Sequence, residues 1–215
     1  MTAGTLLTLL GVAVTFAAGV GYAVDTLRGR VQPNRVTWFV SGVTAWIACA
    51  GQVVQGVVLG AVLTFAVAVV PTLIVAASLA NRDAYWRTTR LDVVCLALAG
   101  TAVLVLLTSS GDLAIAMGIT ARCLGGVPTV IKAWRAPRTE QTTVYAAGVF
   151  GAVCTLVAAP EWTFRTVGFA LYFLVFCSVM TVLVRMGALR NGANRSGVTA
   201  SASATASAAP ASRTG

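Results

Sequence analysis

Seven long apolar segments constrain the fold of this chain more than any other feature of its sequence. A bilayer core about 30 Å thick needs about 20 apolar residues to cross it as a helix. Backbone groups find no water partner in lipid, so each such segment is expected to be helical. The segments cover residues 6–24, 36–54, 57–80, 91–107, 113–133, 143–159 and 164–183. The sequence therefore predicts an all-α membrane protein with seven transmembrane helices.

The charged residues predict how the chain is oriented in the membrane. Only 10% of residues are charged, against roughly 25% in soluble domains. The connections after the first, third, fifth and seventh segments carry 13 basic residues, whereas the opposite connections carry Arg165 alone. Because positive loops stay in the cytoplasm, we expect the amino terminus outside and the carboxyl terminus inside a bacterial-type plasma (inner) membrane. The net charge of +9 therefore does not indicate nucleic acid binding.

The side chains available for chemistry argue against an enzyme. The chain has no His, and its five cysteines fall within predicted helices with no close pair. Sets of acid, base and nucleophile that catalysis requires are missing. We therefore expect no catalytic residue, no metal and no cofactor. The expected partners are the lipid bilayer and a small-molecule solute.

Two basic loops, each with one proline, suggest an internal repeat. Pro33 and Pro137 lie 104 residues apart, and this offset also places Ala18 on Arg122. The predicted units are a first three-helix repeat (1–80), a linker helix that inverts the chain (81–110) and a second repeat (111–188). Residues 189–215, rich in Ser, Ala and Thr, are predicted to be a disordered cytoplasmic tail. The alternative is that cytoplasmic basic loops simply resemble one another.

The segment PTVIKAWRAPRTEQTT resembles the signature of the PQ-loop family, which includes the SWEET sugar transporters. The match places the family proline at Pro128, the basic positions at Lys132 and Arg135, and the Thr-Glu pair at Thr139 and Glu140. The resemblance implies two parallel three-helix repeats, alternating access, and prolines that act as hinges, with Pro33 and Pro137 in the corresponding loops. None of the four Asn residues lies in a predicted helix, so a sugar is not favoured.

Arg122 is the one charge deep inside a predicted helix. A cation near the membrane midplane costs at least about 2.5 kcal/mol, so Arg122 is expected to have a structural or functional role that offsets this cost. Gly118, Arg122, Gly125 and Thr129 share one helical stripe, which predicts a site for a carboxylated or anionic solute. The alternative is a structural pin, in which Arg122 bonds to backbone carbonyls or snorkels.

Other polar and aromatic positions give weaker predictions. Thr44 lies on a face of the second helix with Thr37 and Ser41, and this face could line a cavity or serve only helix packing. Trp38 is expected in the aromatic belt at the membrane interface. Tyr172 and Phe176 are expected in the core.

Together these features favour a facilitative small-solute transporter that works by alternating access. A competing hypothesis is a non-transporting receptor or assembly protein of the PQ-loop type. The chain offers no intramembrane carboxylate or His for proton coupling in its predicted helices, which favours a gradient-driven carrier.

Overall fold

A computed structural model describes residues 2–54, 58–81, 83, 86–108, 111–159 and 161–207. Over these residues the prediction of an all-α chain is confirmed, and there is no strand among them. The predicted start of the third segment, residue 57, lies outside the described residues. The elements are α1 (Ala3–Leu27), α2 (Arg35–Val54), α3 (Val58–Ala80), α4 (Arg90–Thr108), α5 (Gly111–Arg135), a 3-10 turn (Pro137–Thr139), α6 (Thr142–Ala158) and α7 (Phe164–Ser207).

Three described helical spans are long and apolar enough to cross a membrane. They are Ala3–Leu27, Arg90–Thr108 and Thr166–Leu189, with mean hydropathies of 1.9, 2.3 and 2.4. The apolar helical stretches Val67–Ala80 and Thr142–Ala158 are shorter. Large apolar side chains are exposed on every helix, and α4 alone exposes Leu98, Leu104 and Leu107. Water-soluble monomers rarely expose contiguous apolar patches of this kind, so this is a membrane-associated protein.

Side-chain contacts gather alternate helix ends at one end of the bundle, which we call the basic end. Arg35 at the start of α2 donates to Ser78 at the end of α3, through Nε at 3.2 Å to the hydroxyl. Lys132 near the end of α5 reaches the carbonyl of Gln32 after α1. Pro137 packs on Gly187 of α7. The described basic residues at this end are Arg28, Arg30, Arg35, Arg87, Arg90, Lys132, Arg135, Arg138 and Arg185.

The starts of α2 and α4 are capped by side chains that also bond to each other. Asn34 Oδ1 accepts from the backbone N–H groups of Val36 and Thr37 at 3.0 and 3.3 Å. Thr89 and Asp92 form a reciprocal cap for α4, and Asp92 also accepts from Asn34 Nδ2 at 2.6 Å. Both Asn34 and Asp92 are buried. A cap is worth about 1 kcal/mol, and here the same atoms also fix α4 against α2.

The helices pack in a definite order among the described residues. In the first triplet α3 lies between α1 and α2, and in the last triplet α7 lies between α5 and α6. The triplets meet where α1 packs on α6 and α2 packs on α5, while α4 contacts α2 and α5. Glycine permits the close approach of α1 and α6. A Cβ on Gly11 would lie 2.8 Å from Cys154 Cβ and 3.2 Å from Gly151 Cα.

Helix α7 continues beyond the predicted boundary at residue 189. Its backbone is helical to Ser207, although composition predicts disorder for this stretch, and residues 208–215 lie outside the described part. Ala is the strongest helix former, and Pro is the strongest breaker. The stretch is rich in Ala, and the first proline after the start of α7 is Pro210, so local propensity permits the helix to continue.

Candidate functional site

A cavity of about 80 Å³ lies at the centre of the described bundle. Helices α1, α2, α3, α5, α6 and α7 contribute its lining, and α4 contributes no lining residue. The polar part of the lining includes Thr15, Thr37, Ser41 and Arg122. The aromatic part is Phe16, Trp38, Tyr145, Tyr172, Phe173 and Phe176. The cavity is therefore bounded by both triplets, and its walls are mostly apolar with one cation.

Arg122 reaches from α5 into this cavity and is also held by α2. Its Nε donates to Thr44 Oγ1 at 2.9 Å, and its Nη2 donates to the carbonyl of Ser41 at 2.9 Å. The guanidinium carbon lies 4.9 Å from the centre of the Phe169 ring. The residue is 8% exposed, and it has no carboxylate partner among the described ion pairs. The structural-pin hypothesis and the solute-site hypothesis each describe part of this geometry, because Arg122 bonds to α2 and also faces the cavity.

Aromatic rings of α7 form one wall of the cavity. Tyr172 and Phe176 stack with their centres 6.0 Å apart, and Phe176 meets Tyr145 of α6 edge-on at 6.4 Å. A glycine makes room for this wall, because a Cβ on Gly126 would lie 2.8 Å from the Phe176 ring. The wall is therefore packed into place rather than loosely arranged.

Trp38 belongs to the cavity and not to an interfacial belt, so that prediction was wrong. Its ring centre lies 5.2 Å from that of Tyr22, at a tilt of 45°. Its Nε1 is buried. The start of α2 packs against α5, where Thr37 donates to the carbonyl of Gly125, and this turns the Trp38 face of the helix inward.

A buried polar cluster closes the cavity towards the basic end, and we call it the floor network. Glu140 Oε2 accepts from the hydroxyls of Tyr22 at 2.8 Å and Tyr145 at 2.9 Å, and Glu140 Oε1 pairs with Lys132 Nζ at 2.6 Å. Lys132 also donates to the carbonyl of Gln32. The side chains of Lys132 and Glu140 are both 0% exposed. Tyr145 belongs to both sets, so floor and cavity are contiguous.

The floor network joins the two triplets. Tyr22 and Gln32 come from the first, whereas Lys132, Glu140 and Tyr145 come from the last. The two proline loops lie side by side, because Gln32 N donates to the carbonyl of Thr139 at 2.9 Å. Gln141 Nε2 adds a bond to Asp25 of α1 at 3.0 Å.

The other residues of the predicted binding stripe pack on neighbouring helices and do not line the cavity. Gly118 faces α4, where its nearest neighbour is Leu106. Gly125 packs on Val40 of α2, and its carbonyl accepts from Thr37. Thr129 donates to Thr37 Oγ1 at 2.7 Å. Thr44, the predicted site residue of α2, accepts a hydrogen bond from Arg122 Nε and does not itself line the cavity. The stripe is the α5 face that packs against α2 and α4, and only the long Arg122 side chain extends past that contact.

The motif prolines occupy three different environments. Pro128 is buried inside α5, where its missing N–H leaves the carbonyl of residue 124 without a helical donor. Pro33 is fully buried just before α2, and Pro137 begins the 3-10 turn. Thr139 donates to the carbonyl of Ala136 at 2.7 Å. Of the motif residues, the structure brings Lys132 and Glu140 into direct contact, and the hinge role of the prolines stays a prediction.

Sequence reasoning assigned the aromatic wall to the core. Tyr172 and Phe176 do pack against other rings, but they also face the cavity. Their spacing of four residues places them on one helical face, which cannot by itself distinguish a cavity wall from a packed core. Glu140 lies in the loop between α5 and α6, and the loop geometry that buries it has no signal in the sequence.

The described residues hold no group of three or more His, Cys, Asp and Glu side chains arranged for a metal ion. No family model, curated protein or solved structure matches the chain. The chemistry of the cavity and its floor is therefore the basis for a functional proposal.

Proposed function

We propose that this chain is a facilitative membrane transporter that carries a small solute by alternating access. The observation that carries the proposal is the central cavity, which both triplets line and which a buried network closes at the basic end. Transporters built from parallel repeats bind their solute near the midplane, between the two halves. The resemblance to the PQ-loop family, proposed from the Pro128 to Glu140 segment, implies the same arrangement.

In this proposal all seven helices span the bilayer and the basic end faces the cytoplasm. Alternate helix ends gather at the basic end, so successive helices run in opposite directions through the described bundle. The bias of Lys and Arg towards that end favours a cytoplasmic location. The amino terminus then lies outside.

The proposed pair of three-helix repeats draws support from the order of helix contacts. Exchanging α1, α2 and α3 for α5, α6 and α7 converts α1–α3 into α5–α7 and α2–α3 into α6–α7. The same exchange converts the α1–α6 contact into the α2–α5 contact. Helix α4 touches both halves at one side, as expected of a linker that restores the direction of the second copy.

Matching glycine contacts support the same exchange at the level of residues. Gly42 packs on Pro71 between α2 and α3, and Gly148 packs on Cys177 between α6 and α7. Gly148 follows Gly42 by 106 residues (148 − 42), and Cys177 follows Pro71 by the same number (177 − 71). In the same way, Gly19 packs on Val70 between α1 and α3, and Gly126 packs on Phe176 between α5 and α7. The two glycines are 107 residues apart (126 − 19), and their partners are 106 apart (176 − 70).

This spacing favours a register of 106 to 107 over the register of 104 taken from the prolines. It places Thr15, and not Ala18, opposite Arg122 (122 − 15 = 107). The two side chains make matching bonds across the halves. Thr15 donates to the carbonyl of Ala147 at 3.1 Å, and Arg122 donates to that of Ser41 at 2.9 Å (147 − 41 = 106). Among the described lining residues, the one cation comes from the proposed second repeat.

Alternating access requires the floor to open, and its bonds set the scale of that step. Four hydrogen bonds cross between the halves there: Tyr22 to Glu140, Lys132 to Gln32, Gln32 to Thr139, and Gln141 to Asp25. At about 0.5–1.5 kcal/mol each they contribute about 2–6 kcal/mol to closure. Conformations that differ by a few kcal/mol can be interconverted by a ligand that prefers one of them.

A reversible crosslink across the floor tests the proposal. Gln32→Cys with Thr139→Cys, in a background without the native cysteines, would join the two halves where their backbones already bond. A matched control, Arg35→Cys with Ser78→Cys, joins α2 to α3 inside the first half.

In proteoliposomes, flux from a panel of labelled carboxylates, sugars and amino acids should stop when the floor crosslink is oxidised and resume on reduction. The control crosslink should leave flux unchanged. If no solute moves in either redox state, the transport proposal fails and the receptor or assembly hypothesis gains. If flux continues through the oxidised floor crosslink, alternating access at this floor is wrong.

A further inference from the structure

The cavity walls and the free donors of Arg122 together identify a class of solute. We infer that the cavity binds a small monocarboxylate with an apolar, preferably flat, body. The inference rests on the transport cavity proposed above and adds the chemistry of its occupant. Three features carry it: the donors that Arg122 still has available, the rings around the cavity, and the cavity's size.

Arg122 has an unused hydrogen-bonding edge. A guanidinium carries five N–H donors, and two of them bond to Thr44 and Ser41. No hydrogen bond from Nη1 to another described residue occupies the remaining edge. One N–H group of Nη1 and the remaining N–H group of Nη2 form a fork that can donate two parallel bonds to a carboxylate. The bonds to α2 fix this fork in place, and the guanidinium carbon lies over the Phe169 ring, 4.9 Å from its centre.

The charge balance of the site selects a single negative charge. No Asp or Glu is among the described residues that line the cavity, and Glu140 is already paired with Lys132. A buried cation without a partner is costly, and a monoanion removes that cost. A dicarboxylate would leave its second charge unpaired against apolar walls, and a zwitterion would leave its ammonium unpaired.

The walls select an apolar body. Tyr172, Phe173 and Phe176 stand along α7, with Trp38 and Phe16 from the first half. Aromatic rings stack well on flat apolar groups. Five hydroxyls line the described cavity, and those of Thr15, Thr37 and Tyr145 already donate within the protein. Only the hydroxyls of Ser41 and Tyr172 are then left to meet a sugar. A polyhydroxylated solute would lose water bonds that these walls do not replace.

The volume limits the size. A water occupies about 10–15 Å³ by the same measure, so the cavity of about 80 Å³ has room for about five to eight. Benzoate is a suitable probe of this size and shape. Benzamide is its neutral counterpart, and terephthalate adds a second carboxylate to the same ring.

The binding test uses the purified full chain and radiolabelled benzoate. Benzoate should compete roughly tenfold to a hundredfold better than benzamide, as expected for hydrogen bonds to charged groups, and better than terephthalate or glucose. Arg122→Leu should reduce benzoate binding by a similar factor, and Arg122→Lys by less. Arg28→Leu, which removes an exposed charge outside the cavity, should leave it unchanged.

Equal competition by benzamide and benzoate in the native protein overturns the inference, whether or not Arg122→Leu folds. Full benzoate binding by folded Arg122→Leu overturns it as well. Counterflow in proteoliposomes separates it from the transport proposal. Binding that depends on Arg122, with no flux of benzoate or of any solute in the panel, supports the site but refutes transport. Flux of another solute without benzoate binding supports transport but refutes the site.

Discussion

Removing either charge of the floor network should destabilise the protein more than removing both. Glu140 and Lys132 pair at 2.6 Å with both side chains 0% exposed. Glu140→Gln keeps the shape of the side chain but leaves the Lys132 ammonium uncompensated. Lys132→Met keeps most of the length and leaves the carboxylate with only the hydroxyls of Tyr22 and Tyr145.

The expected magnitude follows from the burial. Removing one partner of a buried ion pair costs about 3–5 kcal/mol, whereas replacing both with neutral groups is often close to neutral. Each single variant should therefore lose about 3–5 kcal/mol of folding free energy. The double variant should lose less than either, so the two effects should be strongly non-additive.

Equilibrium unfolding in mixed micelles measures these free energies. A thiol-reactive dye is a convenient reporter, because Cys49, Cys95, Cys154 and Cys177 are buried and only the exposed Cys123 needs replacement by Ser in all variants. If the two single effects simply add in the double variant, the buried pair does not interact as described. Single losses well below 1 kcal/mol would show that water already reaches the floor.

Three further outcomes are expected. Gly19→Ala should destabilise the protein by about 1–3 kcal/mol, because the new methyl would overlap a valine methyl of α3. The control Gly21→Ala, whose new methyl has no neighbour within 4 Å, should be nearly neutral in the same unfolding assay. Asp92→Ala should lower the free energy of unfolding by about 1–3 kcal/mol, because it leaves buried donors unpaired; an unchanged value would refute the role of the joined caps. A membrane-impermeant maleimide should label a cysteine at Arg138 from the cytoplasmic side and one at Thr163 from outside, and labelling of both from one side would reject the proposed topology.

Much of the fold could be predicted because it follows from local physics. Apart from the end of α7, the apolar runs located the helix ends to within a few residues. A single cation in an apolar run pointed to Arg122, which does reach the central cavity. Its neighbours on the stripe could not be assigned as well. A helical stripe shows which residues share a face, but it does not show whether that face meets a cavity or another helix.

The register of the proposed repeat shows why loop residues are a poor guide to an alignment. Pro33 lies two residues before the start of α2, whereas Pro137 lies two residues after the end of α5. The two prolines lie at opposite ends of their loops. Aligning them therefore shifts the helices of the proposed repeat by two to three residues from the register that the glycine contacts favour. The glycines that let helices touch hold the register better, because each has a partner that would clash with a side chain.

The floor network could not be predicted because its parts are far apart in the chain. Tyr22 and Glu140 are separated by 118 residues, and a tyrosine near a helix end is equally typical of an interface. Lys132 and Glu140 are close in sequence, but only the 3-10 turn between them folds the carboxylate back onto the amine.

Lys132 is the only lysine in the sequence, and its amine is sealed inside the floor network. An amine-reactive ester can therefore modify just one side chain, and only while that chain is exposed. Peptide mass spectrometry separates this product from one at the α-amino group. The rate of acylation at Lys132 thus reports how often the unaltered protein exposes its basic end to water. A solute that holds the protein closed should slow that reaction, and one that drives it open should accelerate it.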